Sequence, residues 1–159
     1  MRALIVADLH YSLRQFDWLQ RMAADYDMVI LAGDLLDIAG HADLDTQIVV
    51  VGKYLAKLGA VTQVVVCSGN HDVDERDAAD ESIVTWFDGL RAEAVRMDGE
   101  HLELASGMIT ICPWWDGPVA RGALEALLAA APRPVPGPWI WIHHVPPNRT
   151  AVSWTGRDH

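Results

Sequence analysis

Four short apolar runs in this 159-residue chain each end in residues of the kinds that ligate metals, and this pairing limits the possible folds most. Ala3 to Ala7 leads into Asp8 and His10. Asp27 to Ala32 leads into Gly33, Asp34 and Asp37. Val61 to Cys67 leads into Gly69-Asn70-His71-Asp72, and Trp139 to Ile142 into His143 and His144. Continuous apolar runs of this length read as strands buried on both faces. Helical patterns separate the first three. Leu13 to about Ala24 carries Phe16, Leu19 and Met22-Ala23 on one stripe, with Ser12 as a cap. A second helix, capped by Asp43, Asp45 or Thr46, runs to about Leu58 and stops at Gly59. Strand and helix in alternation build a sheet whose ligands bind beyond the carboxyl ends of its strands. Every cluster named above sits at such an end.

The remaining pattern changes character along the chain. Asp77 to about Leu90 reads as a helix with Ile83, Trp86 and Phe87 apolar. Ala94–Met97, His101–Leu104 and Met108–Cys112 are short, with Asp98-Gly99 and Ser106-Gly107 between them, which predicts an antiparallel meander. Pro113-Trp114-Trp115 leaves it. Val119 to Ala131 is helical, Pro132 to Pro138 breaks that helix, and no element is expected from Asn148 to His159. The fold class expected is α/β, a layered sandwich with helices outside.

Composition narrows the partners. A formal net charge of -10 and only 12 Lys and Arg give no long-range attraction for nucleic acid or an anionic membrane. The same acidity suits a site that collects divalent cations. Cys67 and Cys112 both lie in apolar runs and read as buried free thiols. No secretory leader or spanning segment is visible, so a cytoplasmic protein is expected.

At the strand ends the chemistry is specific. Asp8 and His10, two apart, point the same way from an extended exit and can reach one cation. Gly33 permits a sharp turn that frees Asp34, whose carboxylate can bridge two cations. Asp37 suits orienting an imidazole, but an acid at a helix N-terminus is an equal reading. Asn70 offers a neutral carbonyl ligand. His71, next to it, points elsewhere, where it could protonate a leaving oxygen or stabilise charge at phosphorus. Asp72 organises the loop. Of His143 and His144, one binds metal and the other packs nearby. A donor set of nitrogen and oxygen without thiolate favours Mn, Fe or Zn. His41, Trp114 and Trp115 lie near enough in the chain to approach the pocket, with packing the expected role for the Trp pair; His101 reads as a strand surface residue.

These blocks resemble the calcineurin-like metallophosphoesterase superfamily. Its Asp-x-His, Gly-Asp-x-x-Asp, Gly-Asn-His-Asp and later His occur in order as Asp8-Leu9-His10, Gly33 to Asp37, Gly69 to Asp72 and His143. The resemblance runs from Met1 to about Pro147. It implies the layered α/β-β/α sandwich of metallo-dependent phosphatases and a binuclear centre of two divalent ions. Asp8 and His10 would hold the first metal, Asp34 would bridge, and Asn70 and His143 would hold the second. His71, oriented by Asp37, would act at the leaving group while a metal-bound hydroxide attacks the phosphorus of a mono- or diester. The family's closing Gly-His-x-His block does not occur before His159. The chain is therefore expected to be one metallophosphoesterase domain, 1–159, truncated at its C-terminus. A partner chain that supplies the histidines, or a naturally short form, would account for the same ending. The substrate class expected is a small phosphate ester. The contrasting reading is a catalytically weak metal-binding module that regulates or scaffolds.

Overall fold

In the computed structural model, which describes residues 1–91, 94–132 and 137–145, strand β1 (Ala3–Val6) leads through helix α1 (Leu13–Met22) and a 3-10 turn at Ala23–Asp25 to β2 (Met28–Ala32). Helix α2 (Leu44–Gly59) then returns the chain to β3 (Gln63–Cys67). The three strands pair in parallel, Val6 opposite Leu31 and Ala32 opposite Cys67. Their carboxyl ends therefore finish almost level, and the loops that follow emerge side by side. Asp43 caps α2, its carboxylate accepting from the Thr46 N–H at 2.8 Å.

Side chains alternate across β2 and β3. Val29, Leu31, Val64 and Val66 face the helices, packing with Phe16 and Leu19 of α1 and Val51, Leu55 and Leu58 of α2. Met28, Ile30, Val65 and Cys67 face a second sheet. That sheet comprises β7 (His101–Leu104), β8 (Gly107–Ile111) and β9 (Trp139–Ile142), and it contributes Ile109, Ile111 and Ile142. The layers are helix, sheet and sheet, with α3 (Pro118–Ala129) leading from β8 toward β9. This is the mixed α/β architecture expected, with a parallel sheet flanked by helices. Burying each large apolar side chain here is worth about 1.5–3 kcal/mol, so the two clusters account for most of the drive to fold.

Four local expectations are corrected. First, β1 is an edge strand among the described residues, and Ile5 is 63% exposed rather than buried. Second, no helix spans 77–90. Short β4 (Glu75–Arg76) and β5 (Ser82–Ile83) pair antiparallel, and a 3-10 turn follows at Trp86–Gly89. The reason is competition from side chains for backbone donors. Asp77 accepts from the N–H groups of Ala79 and Glu81, and Asp74 from the N–H and hydroxyl of Thr85. Third, the meander divides. Strand β6 (Val95–Arg96) pairs in parallel with β3 and joins the first sheet, leaving only β7 and β8 as a hairpin. Fourth, Val61 and Thr62 form the turn after α2, not strand.

Cys67 and Cys112 are free and buried. Among the described residues no helix is long and apolar enough to cross a membrane. The Pro146–Pro147 pair, residues 148–159 and most of the proline-rich break at 132–138 lie outside the described residues.

Candidate metal centre

The loops leaving β1 and β2 run alongside each other. Asp8 N donates to Gly33 O, His10 N to Asp34 O and Tyr11 N to Leu35 O, at 2.9–3.1 Å. The expected extended exit does not form. Asp8, His10, Tyr11 and Asp34 all adopt the left-handed region, with φ between 41° and 56°. Such residues cost on the order of 1 kcal/mol or more each and tend to collect at functional sites. Gly33 takes φ 87°, and a Cβ there would lie 2.5 Å from His144 Nδ1. Only glycine lets that imidazole close over the turn.

Asp72 ties the β2 and β3 exits together. It is fully buried, and its carboxylate accepts four backbone N–H groups. Oδ2 takes those of Asp34 and Gly69, both at 2.8 Å. Oδ1 takes Leu35 at 2.8 Å and Leu36 at 3.0 Å. Burial pushes this carboxyl up to about 6, while the N–H groups of Gly69, Leu36 and Leu35 pull it back. Trp86 Nε1 donates to the Asp72 carbonyl at 2.8 Å and anchors the turn to the core. The loop-organising role of Asp72 thus extends to two loops at once.

Two groups of ligand-type side chains result, one of Asp8, Asp34 and His144, the other of His10, Asp37 and His71. Within each, one donor atom per residue lies within 4.8 Å of the others. Asp34, 3% exposed, joins the groups. Its Oδ1 accepts the His71 backbone N–H at 2.9 Å. Its Oδ2 is 3.4 Å from His144 Nε2 and 3.7 Å from His10 Nε2. His10 Nε2 also stands 3.9 Å from Asp8 Oδ1. His144 Nδ1 donates to the Ala32 carbonyl at 2.9 Å, which orients the ring and turns Nε2 toward Asp34.

His71 stands edge-on to His10, ring centroids 4.5 Å apart. Its Nδ1 is buried, 4.0 Å from Asp37 Oδ1, and has no hydrogen-bond partner. Asp37 is itself gripped by Gln47 of α2. The Asp37 N–H donates to Gln47 Oε1 at 2.8 Å, and Gln47 Nε2 donates back to the Asp37 carbonyl at 2.9 Å. Gln47 carries no signal in the sequence, where it is one polar residue within a helical stripe.

The other expected residues fall as follows. Asn70 is exposed at the tip of its turn. His143 belongs to neither group; its Nδ1 is 3.5 Å from the Cys112 carbonyl, and burial lowers its pKa. Its neighbour His144 is the one drawn to Asp34. His41 is exposed and in neither group. Trp114 lies beside His144, ring centroids 6.2 Å apart, while Trp115 packs under Arg121. His101 Nδ1 pairs with Thr110 Oγ1 on the second sheet.

Three carboxylates and three imidazoles converge with no lysine, arginine or cysteine among them. Such a set suits hard or borderline divalent cations. The mutually repelling carboxylates of Asp8 and Asp34, brought together beside His144, fit a cation at this place.

The chain matches the family model for calcineurin-like phosphoesterases over residues 1–159. No curated protein gives a significant match. Among solved structures it is similar to the Pseudomonas putida nuclease MPE, at 25% identity and a TM-score of 0.39, covering 70% of this chain and 52% of that one. The chain thus spans about half the length of that neighbour.

Proposed function

The chain belongs to the calcineurin-like phosphoesterase family, and from that premise we propose that it hydrolyses a small phosphate mono- or diester with the help of two divalent cations. The single observation carrying this reading is the position of Asp34 Oδ2, which faces an imidazole from each of the two groups. A carboxylate so placed suits a bridge. Manganese, iron and zinc all match the nitrogen and oxygen donors.

Asp8, Asp34 and His144 are the proposed ligands on one side, and His10 with Asp34 those nearest the other. Asn70 offers its amide oxygen from the adjacent turn, and His143 stays a candidate only if its ring turns from Cys112. Divalent ions at this place supply Lewis acidity toward phosphoryl oxygens and acidify water. The chain's own groups do the rest. Asp72 holds both ligand turns in register. Asp37 faces His71 Nδ1 at 4.0 Å and would orient the ring. As an imidazolium, His71 would give its Nε2 proton to the leaving oxygen and keep the Nδ1 proton toward Asp37. The -10 charge disfavours long nucleic acids as substrate.

The test compares metal-stripped protein with protein restored in manganese, iron or zinc, on a generic aryl phosphodiester and an aryl phosphomonoester. The reading expects hydrolysis of at least one ester only after restoration. Equal turnover by the stripped protein, or none with any metal, contradicts it.

A further inference from the structure

Beside the metal centre lies a cavity of about 310 Å³ that the proposed chemistry does not use. It is bounded by the β3 exit, the β5 hairpin, the segment after β8 and the first turns of α3. Trp114 forms the wall shared with the centre, its ring 6.2 Å from that of His144. Trp114 is fixed from below by a chain of hydrogen bonds. Its backbone N–H donates to Ser68 Oγ at 2.8 Å, and both the backbone N–H and the hydroxyl of Ser68 are given to Asp98. Ser68 immediately precedes the Gly69-Asn70-His71-Asp72 turn, so one residue links the cavity wall to the ligand loop.

The lining has a definite chemistry. Its polar side chains are Asp77, Asp98, Ser68 and Ser82, and no lysine, arginine or histidine lines it among the described residues. The rest is apolar, Trp114 being the largest. Positive charge nearby comes from Arg91, which lies outside the lining and donates to the Asp98 carbonyl at 2.9 Å, and from the N-terminus of α3. Glu81, 6% exposed, already covers it, accepting the N–H groups of Val119 at 2.8 Å and Ala120 at 2.7 Å. An anionic group entering here would meet two carboxyls and no cationic side chain in the lining. A compact group carrying N–H donors would meet acceptors, an aromatic wall and apolar sides.

We propose that this cavity is the subsite for the organic part of the ester, and that it selects a neutral or cationic group bearing N–H donors. The proposal rests on the phosphoesterase reading and deepens it by naming the substrate class. An aminoalkyl alcohol and a nucleoside share that chemistry, and the assay separates them.

The experiment uses the metal-restored full chain and a set of phosphomonoesters with their methyl diesters. The organic groups are 3-aminopropyl, propyl, 2-carboxyethyl and adenosine, with the aryl ester as reference. The proposal expects kcat/KM for the aminopropyl or the adenosine ester to exceed that of the propyl ester at least tenfold. The carboxyethyl ester falls below propyl. Preference for aminopropyl alone marks an amino alcohol, and preference for adenosine alone a nucleoside. Asp98→Asn removes an acid, and Ala123→Leu, on the exposed side of α3, fills the cavity without entering the core. Either change should bring the ratio to propyl within about threefold, with thermal melts confirming the fold. Turnover of the aryl ester with no preference in the set, or a preference both variants leave intact, overturns the proposal alone. Failure of every ester, the aryl one included, overturns the phosphoesterase reading and this proposal with it.

Discussion

Gly69→Ala is the smallest change that should disable the centre without touching the core. A Cβ at this position would lie 2.5 Å from Asp34 N and 3.0 Å from its Cγ, with Oδ1 closer still. Ordinary contact begins near 3.4 Å, so Asp34 must withdraw by about 1 Å, given how little packed atoms yield. It cannot do so freely. Its N–H is held by Asp72 Oδ2 at 2.8 Å and its Oδ1 by the His71 N–H at 2.9 Å. Losing two hydrogen bonds to charged groups costs roughly 3–6 kcal/mol, and partial relaxation brings the expectation to about 3 kcal/mol. For a chain of this size that lowers Tm by roughly 6–12 °C. Displacing the proposed bridging carboxylate should also weaken metal binding by about 10–100-fold, the usual scale for a disturbed support of a ligand. Thermal melts of the stripped protein give the first number and calorimetric titration with Mn²⁺ the second. A variant that melts and binds Mn²⁺ like the parent would refute the idea that Asp34 and Gly69 are packed against each other for this purpose.

Other perturbations separate chemistry, electrostatics and backbone effects. His71→Ala should lower turnover per bound metal by about 10²–10⁴-fold, the range of a lost proton donor, with metal content changed far less; kcat and elemental analysis on the same sample decide it. Burial raises Asp98 to about 7. The folded chain therefore keeps a proton that the unfolded chain has shed by about pH 4. The stability this group contributes is complete below that pH and is lost as pH rises through 7. Asp98→Asn cannot ionise, so between pH 5 and 8 the parent should lose on the order of 2 kcal/mol relative to it in denaturant titrations. A constant difference would contradict the assignment. Gly122 lies inside α3 with nothing within 4 Å of an added Cβ. Gly122→Ala should stabilise by about 0.5–1 kcal/mol, visible as a higher denaturation midpoint.

Much of this arrangement is legible in the sequence because strand burial and ligand clusters repeat at a scale of a few residues. The runs ending at Ala32 and Cys67 find their strands and their places in a parallel sheet, and Asp34 stands where Gly33 releases it. What local pattern does not carry is register between distant segments. Strand β6 looks like part of a meander, yet Val64 and Val95 pair in parallel because the first sheet offers an open edge there. Which of His143 and His144 faces Asp34 depends on which imidazole reaches the Ala32 carbonyl, a contact across 112 residues. Gln47 and Asp98 are ordinary polar residues until the fold sets one against Asp37 and the other against Ser68. The helical reading of 77–90 fails for a local reason. The apolar spacing is right, but Asp74 and Asp77 capture the backbone donors that a helix needs.

The central claim is that the ends of β1, β2 and β3 and the histidine after β9 together hold two cations about Asp34. Crystals grown with manganese, measured for anomalous scattering at the manganese edge, test this directly. The account predicts two peaks on either side of Asp34 Oδ2, roughly 3.5–4 Å apart, one within bonding distance of Asp8 and His144 and the other of His10. No peak, or peaks remote from Asp34, would contradict it.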